Sequence, residues 1–214
     1  MTLFIPRTLS SRHDLCSLDN KATKVEIDLM KKLRFTCSCC GFTTMQTKAC
    51  LHGGMEFLQI KGEYYLLCFM CSQSQQLYRG VEHAGESNLD HGILVYCPTL
   101  TQGQVIATVR DIYAMSQHYR YKTNKYLRER VRGLKSSFTT KLTETCPNIY
   151  DLNIKSNHIG GFAEISKYSP KELHDKDEYV FAGIRYIPDE NLFADIVKLW
   201  LDNTYSVYLK RNGL

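Results

Sequence analysis

Two pairs of cysteines, each with the spacing Cys-x-x-Cys, constrain this chain more than any other feature of its sequence. The first pair is Cys37 and Cys40, and the second is Cys68 and Cys71. In such a turn both sulfurs can point at one ion, so two turns together complete a tetrahedral thiolate shell. The four cysteines are therefore predicted to bind one structural Zn²⁺ ion.

The residues around the pairs predict a zinc unit at about residues 34–80. Gly41 follows the first pair, where the turn favours a residue that tolerates positive φ. Segments 55–60 and 63–67 are predicted strands of a β-hairpin. A helix is predicted to open at 72–78, where its amides and dipole favour the thiolates. The order of knuckle (the turn holding a cysteine pair), hairpin and helix predicts a treble-clef unit.

Three residues near the pairs have no assigned role. Cys39 lies within the first turn and is predicted to point away from an ion held by its neighbours. Cys50 and His52 form a Cys-x-His that can instead supply a ligand. The remaining alternative is that no metal is bound and that all the cysteines, the two pairs included, are reduced, buried thiols.

Composition favours a globular protein in a reducing compartment. The chain has 214 residues, 43% of them hydrophobic and 23% charged, which suits a single domain, residues 1–214, with a sizeable core. The nine cysteines are odd in number, and the N-terminus lacks a signal-peptide pattern, so a cytoplasmic location is expected. No apolar run approaches the roughly 20 residues that span a bilayer.

The charge is concentrated in one segment. Nine Lys or Arg and two acidic residues lie between Arg110 and Lys141, a local net charge of +7 (9 − 2) against +5 for the whole chain. A helix is predicted at 124–138, with Leu127, Val131, Leu134 and Phe138 on its apolar face. Its basic face is a predicted partner-binding surface that consists of Lys125, Arg128, Arg132 and Lys135. This face can contact an acidic peptide, water, or nucleic acid with help from Tyr119, Tyr121 and Tyr126.

Periodicity predicts further elements on either side of the zinc unit. A helix capped by Asp19 or Asn20 is expected to run to about Leu33 and to carry Val25, Leu29 and Leu33 on one face, with Ile27 and Met30 beside it. Segment 92–97 is a predicted buried strand. The expected fold class is therefore α+β, with the zinc unit surrounded by several α-helices.

Two helical regions are predicted after the zinc unit, at about 101–140 and 169–210. Thr101 and Gln104 have the spacing of a capping box, and the helix that follows carries Val105, Val109, Ile112 and Tyr113 inward. A strand or bend is predicted at 183–187. Asp189 is predicted to cap a final helix whose buried residues include Trp200.

Longer stretches of sequence resemble a known family. Residues 32–42 (KLRFTCSCCGF) resemble the lead-in and first knuckle of HNH-type nucleases, and residues 68–71 resemble their second pair. Together with residues 92–105 (GILVYCPTLTQGQV), 185–188 (RYIP) and 196–201 (IVKLWL), these motifs resemble the DotN, or IcmJ, family. That family belongs to bacterial type IVB secretion systems and the related conjugation machines.

The resemblance implies a zinc-containing adaptor with a degenerate nuclease-like fold. The implied partner is the C-terminal extension of a DotL-like coupling ATPase, together with other subunits of a coupling complex that recruits substrates. The implied location is the cytoplasm, at the inner membrane through that complex. Only Cys37, Cys40, Cys68 and Cys71 match a functional motif of the family.

The same comparison predicts that the chain is not an enzyme. An HNH site needs a histidine base beside a divalent ion. His52 is the only histidine between the two pairs, and residues 72–76 (SQSQQ) contain none. The alternative is a divergent nuclease that uses His52 with His83 or His91.

Overall fold

The computed structural model describes residues 22–60, 62–75, 92–118, 123–136 and 183–206. These residues form five α-helices, a π-helical turn and two small antiparallel sheets. The fold is therefore α+β, as predicted.

The first helix, α1, spans Lys24–Lys32 and begins at a capping box, later in the chain than the N-cap predicted at Asp19 or Asn20. The N-cap is Thr23, whose Oγ1 accepts from the Glu26 amide at 3.2 Å, while the Thr23 amide donates to the Glu26 carboxylate at 2.7 Å. This exchange satisfies two amides at the helix start, and so the helix begins there and not at Asp19 or Asn20.

The buried face of α1 also differs from the prediction. Ile27 and Met30 point into the core, whereas Val25, Leu29 and Leu33 are exposed. Val25, Leu29 and Leu33 recur every four residues, but the chain beyond α1 folds back beneath the other side of the helix. Phe35, which follows the helix and donates its amide to the Met30 carbonyl at 2.8 Å, is buried beside Met30.

The predicted hairpin is present. Strand β1 (Met55–Ile60) pairs antiparallel with β2 (Glu63–Cys68), with Met55 opposite Cys68 and Ile60 opposite Glu63. Helix α2 (Phe69–Gln75) follows β2 directly, so the helix begins three residues before the predicted start at Ser72. The Phe69 amide, at this junction, donates to the Gly54 carbonyl at 3.1 Å.

A second sheet joins parts of the chain that are far apart in sequence. Strand β3 (Gly92–Tyr96) pairs antiparallel with β4 (Ile184–Pro188), which confirms both predicted strands. A Cβ atom on Gly92 would lie 2.1 Å from the Ile187 carbonyl oxygen, so only glycine permits this close approach. The Gln102 side chain then holds the sheet against the next helix, because it donates to and accepts from the Tyr186 backbone at 2.8 Å each.

Helix α3 spans Gln102–Gln117 and confirms its prediction closely. Thr101 and Gln104 form the capping box, with hydrogen bonds of 3.2 and 2.8 Å. The four residues predicted to face inward are all buried: Val105, Val109, Ile112 and Tyr113.

Helix α4 spans Lys125–Lys135, and its predicted apolar face is only partly buried. Asn124 caps the helix by accepting the Leu127 amide at 3.1 Å. Val131 is buried and Leu127 half-buried, but Leu134 is exposed. The predicted apolar face of α4 therefore leaves the core at Leu134.

Helix α5 spans Ala194–Trp200 and begins later than predicted. Asp189 accepts the Asn191 and Leu192 amides at 2.8 and 3.1 Å, so it closes a turn ahead of the helix instead of capping it. Ile196, Val197 and Trp200 are buried, as predicted. The chain then widens into a π-helical turn, Leu201–Tyr205.

One hydrophobic core connects the elements of the described part of the chain, from α1 to the end of α5. Phe138 and, from the helical region predicted at about 169–210, residues 169–182 and 207–210 lie outside the described residues. The single domain therefore stays a prediction.

Candidate metal centre

The first cysteine pair is held in a turn that reverses the chain after α1. The Gly41 amide donates to the Cys37 carbonyl at 2.9 Å, and the Cys37 amide donates to the Phe42 carbonyl at 2.8 Å. Gly41 has φ of 71°, in the left-handed region, which confirms the predicted need for glycine. The backbone therefore fixes both cysteines of this pair on one small loop.

The second pair lies at the junction of β2 and α2. Cys68 is the last residue of β2, and Cys71 lies in the first turn of α2. The Ser38 amide donates to the Leu66 carbonyl at 2.8 Å and joins the two knuckles. Because α2 starts at Phe69, Cys71 belongs to the helix itself and does not precede it.

The two pairs bring four sulfur atoms together. The Sγ atoms of Cys37, Cys40, Cys68 and Cys71 all lie within 4.8 Å of one another. The Cys40 and Cys68 sulfurs are 3.8 Å apart. A tetrahedron with zinc–sulfur bonds of about 2.3 Å has edges of about 3.8 Å, so the donor set fits a zinc-sized ion. The described residues thus place the four predicted ligands as one cluster that can hold a metal ion.

The pKa values of the four cysteines favour the replacement of their protons by a cation. The pKa of Cys37 lies far below its ordinary value because the thiols of Cys40, Cys68 and Cys71 donate hydrogen bonds to its sulfur. The pKa of Cys68 is raised by its hydrogen bond to Cys37, and burial raises the pKa of Cys71. Four buried thiolates need a positive charge among them, which a divalent ion supplies while the remaining protons leave.

Cys39 lies outside the four-sulfur cluster, as predicted, but its backbone has a packing role. Its carbonyl oxygen would lie 2.2 Å from a Cβ atom on Gly103. Gly103 is in the first turn of α3, where glycine weakens a helix. The glycine therefore lets α3 approach the first knuckle.

Cys50 and His52 are also outside the cluster. Both are buried, and the Cys50 sulfur lies 3.5 Å from His52 Nε2. His52 Nδ1 accepts the Gly54 amide at 3.1 Å, and burial raises the pKa of the Cys50 thiol. The Cys-x-His therefore supports the loop that leads into β1 and supplies no ligand to the cluster.

Arg110 is a part of this centre that the sequence analysis missed. It was counted in the basic segment, yet its side chain is buried and its Nη1 lies 3.5 Å from the Cys40 sulfur. Burial alone would lower the pKa of Arg110, but the facing groups of Tyr205, Asp111 and Cys40 more than offset this effect and raise it. The sequence did contain a sign of this role: Arg110 lies among the residues of α3 that were predicted to face inward, between Val109 and Tyr113. A buried cation requires an anionic partner.

The predicted partner-binding residues of α4 have different surroundings. Lys125 and Arg132 are exposed, and Arg128 is half-buried. Lys135 forms an ion pair with Glu190 and lies 5.7 Å from the centre of the Tyr113 ring. The exposed positive charge of α4 therefore comes from Lys125 and Arg132 of the predicted set, together with Arg130.

The chain matches no family model and no curated protein. Within the described ranges, no helix is both long and apolar enough to cross a membrane. The cysteine cluster and the residues around it are therefore the features of this chain that bear on its function.

Proposed function

We propose that this protein is a noncatalytic zinc adaptor with a treble-clef, HNH-like unit. In this proposal it is a subunit of a type IVB secretion or conjugation coupling complex and binds the C-terminal extension of the coupling ATPase. The proposal combines the geometry of the four sulfurs with the sequence motifs that resemble the DotN family.

The closed sulfur cluster is the observation that carries the noncatalytic role. Four thiolates can fill the coordination shell of Zn²⁺, and the four sulfurs lie within 4.8 Å of one another, whereas catalytic zinc sites keep one position for water or substrate. The bound ion therefore stabilises the two knuckles against each other. It supplies folding free energy and no activated water.

The surroundings of His52 support the same conclusion. A general base needs a nitrogen lone pair that can reach water. His52 is 3% exposed, and its Nδ1 already accepts the Gly54 amide at 3.1 Å. The other histidines of the nuclease alternative, His83 and His91, lie outside the described residues. Cleavage of DNA with Mg²⁺ or Mn²⁺, abolished by His52→Ala, would contradict the proposal.

The outer face of α4 is the proposed contact for the ATPase segment. Lys125, Arg130 and Arg132 are exposed on α4, as are the apolar groups of Tyr126 (72% exposed) and Leu134. Arginine and aromatic residues are enriched at protein interfaces, and their combination fits an acidic segment that also carries apolar side chains. Tyr119 and Tyr121, from the nucleic-acid alternative, are outside the described residues.

Binding of the purified ATPase extension to the zinc-loaded protein tests the proposal. We expect Lys125→Glu with Arg132→Glu to weaken binding at least tenfold, because two exposed cations are replaced by repelling charges. Lys48→Glu, an exposed charge reversal in the loop before Cys50, is the matched control and should bind like the wild type.

Isothermal titration at two salt concentrations and competition with single-stranded DNA separate the alternatives. Loss of the ATPase contact on addition of DNA, with tighter binding of the DNA itself, would favour a nucleic-acid-binding protein. A folded, zinc-loaded protein that ignores the ATPase extension would overturn the adaptor proposal.

A further inference from the structure

A partly buried network of polar side chains connects the sulfur cluster to the C-terminal helix, which consists of α5 and the π-helical turn that follows it. Arg110 lies at its centre and contacts Cys40, Asp111 and Tyr205. Its Nη1 donates to the Cys40 sulfur at 3.5 Å, and its Nε donates to the Tyr205 hydroxyl at 2.8 Å. Its Nε and Nη2 also donate to Asp111 Oδ1 at 3.2 and 3.0 Å. The Tyr205 hydroxyl donates in turn to the same carboxylate oxygen.

The position of Arg110 suits the charge of a tetrathiolate metal centre. Zn²⁺ with four thiolates has a net charge of −2 (2 − 4), and burying such a charge is costly unless it is paired and hydrogen-bonded. Arg110 is 7% exposed and stacks 4.1 Å from the centre of the Phe42 ring, so its charge is held close to the cluster. Groups outside the ligand shell that donate hydrogen bonds to ligands tune both affinity and orientation.

The π-helical turn explains how Tyr205 reaches this network. In an α-helix, residues four apart lie above one another, but in a π-helical turn the corresponding separation is five residues. Trp200 and Tyr205 are five apart, and both contact Phe42, at centroid distances of 4.9 and 5.9 Å. The wider turn therefore puts both aromatic rings on one side of the chain.

The rest of the C-terminal helix docks on the loop between the first knuckle and β1. Trp200 Nε1 donates to the Gly53 carbonyl at 2.9 Å. A Cβ atom on Gly54 would lie 2.5 Å from Ile196 Cδ1, so the helix rests directly on the backbone there. Thr44 and Thr204 hydroxyls are 3.1 Å apart. The helix thus contacts the loop after the first knuckle as well as the Arg110 network.

We infer that Arg110 is an outer-shell residue of the metal centre that couples metal binding to docking of the C-terminal helix through Tyr205. The coupling acts in both directions. If docking of the helix increases the affinity for metal, then metal binding must stabilise the docked helix by the same free energy. The inference rests on the metal-binding part of the proposed function and is independent of the adaptor role.

Metal affinity is the first test, measured by competition with a chromophoric chelator. We expect Arg110→Gln to weaken Zn²⁺ binding about 10- to 100-fold and Arg110→Lys to restore part of the loss. Arg185→Gln is the matched control, since Arg185 is a buried arginine that donates to the Leu100 carbonyl at 2.5 Å, away from the cluster. The control should bind Zn²⁺ like the wild type.

The Co²⁺-substituted protein separates a coupling role from a general folding defect. Arg110→Gln should keep the absorption of a tetrahedral thiolate site while its Co²⁺ is released faster to a chelator. A normal affinity and release rate in Arg110→Gln would overturn the inference. If the wild type itself shows no thiolate–Co²⁺ absorption, the metal centre and the zinc role fail together, whereas failure of ATPase binding alone leaves this inference intact.

The response of the helix is the second test. Trp200 is the only tryptophan, so its fluorescence reports on docking without a label. Chelation should shift the emission to longer wavelength and speed hydrogen exchange over residues 196–206. Tyr205→Phe keeps the ring beside Phe42 but removes the hydroxyl that links the helix to Arg110, and so it should reduce both the metal affinity and the effect of chelation on residues 196–206. Equal exchange in the metal-loaded and chelated wild type would overturn the coupling.

Discussion

At the scale of single residues, the sulfur of Cys40 contacts both another predicted ligand and a residue outside the predicted ligand set. It lies 3.8 Å from the Cys68 sulfur on one side and 3.5 Å from the Arg110 guanidinium on the other. A thiolate that accepts a hydrogen bond from a cation keeps its negative charge more easily inside a protein. Loss of a ligand should therefore cost far more than loss of an ordinary buried cysteine.

The substitution Cys68→Ser tests this difference. Structural zinc contributes on the order of 10 kcal/mol to the folding of small zinc units, so removal of one thiolate should abolish stoichiometric zinc and unfold the region around both knuckles. Metal analysis and thermal denaturation of the purified variant measure the result.

Cys97→Ser is the control. Cys97 is buried in the core, and its sulfur lies 3.9 Å from the Thr99 hydroxyl, outside the cluster. We expect a loss of about 1 to 3 kcal/mol in the free energy of unfolding, with full zinc content, because only a buried polar group is introduced. Equal zinc content in the two variants would contradict the assignment of Cys68.

At the scale of elements, the close contact between α3 and the first knuckle depends on Gly103. Gly103→Ala should destabilise the protein by about 1 to 3 kcal/mol, because the added Cβ would lie 2.2 Å from the Cys39 carbonyl oxygen and the backbones must move apart. Gly133→Ala, inside α4 with no atom within 4 Å of the added Cβ, should instead stabilise the protein by about 0.5 to 1 kcal/mol. Urea denaturation measures both.

The opposite signs make this pair informative. A neutral Gly103→Ala would mean that α3 does not lie against the knuckle. A destabilising Gly133→Ala would mean that the exposed side of α4 is covered, which would also bear on the proposed ATPase contact.

Local patterns predicted most of the regular elements and the four cysteines that form the cluster. The hairpin from Met55 to Cys68 and the capping box at Thr101 follow from residues close together in sequence, so the sequence was enough. The exposure of Val25 on α1 and the approach of Arg110 to Cys40 depend on which surfaces meet, and spacing along the chain does not encode that. The π-helical turn shifts the register by one residue, so a search for ordinary helical spacing passed over Tyr205.

At the scale of the whole molecule, the four-sulfur cluster joins segments that are far apart in the sequence. The four sulfurs come from the knuckle after α1 and from the β2–α2 junction, and Arg110 and Tyr205 extend the contact to α3 and the C-terminal helix. The stability of the described core should therefore depend on metal and, through the thiolates, on pH.

The difference in Tm between metal-loaded and chelated protein tests this dependence. Metal binding requires deprotonated sulfurs, and the pKa values of Cys68 and Cys71 are raised, so falling pH must weaken binding. We expect the difference in Tm to shrink as the pH falls from about 8 to about 6, because protons compete with the ion. A difference that stays constant over this interval would contradict thiolate ligation.

The pairing of β3 with β4 has a consequence for synthesis on the ribosome. Both cysteine pairs are available once residue 71 has emerged, so the four-sulfur cluster can assemble before β4 has been made. Strand β3 must wait for residues 184–188 before it gains its neighbour, and the C-terminal helix arrives later still. The backbone of β3 therefore lacks its partner strand while about 90 further residues are added. Unpaired strand edges are prone to aggregate, so we expect chaperones to bind the nascent chain during this interval.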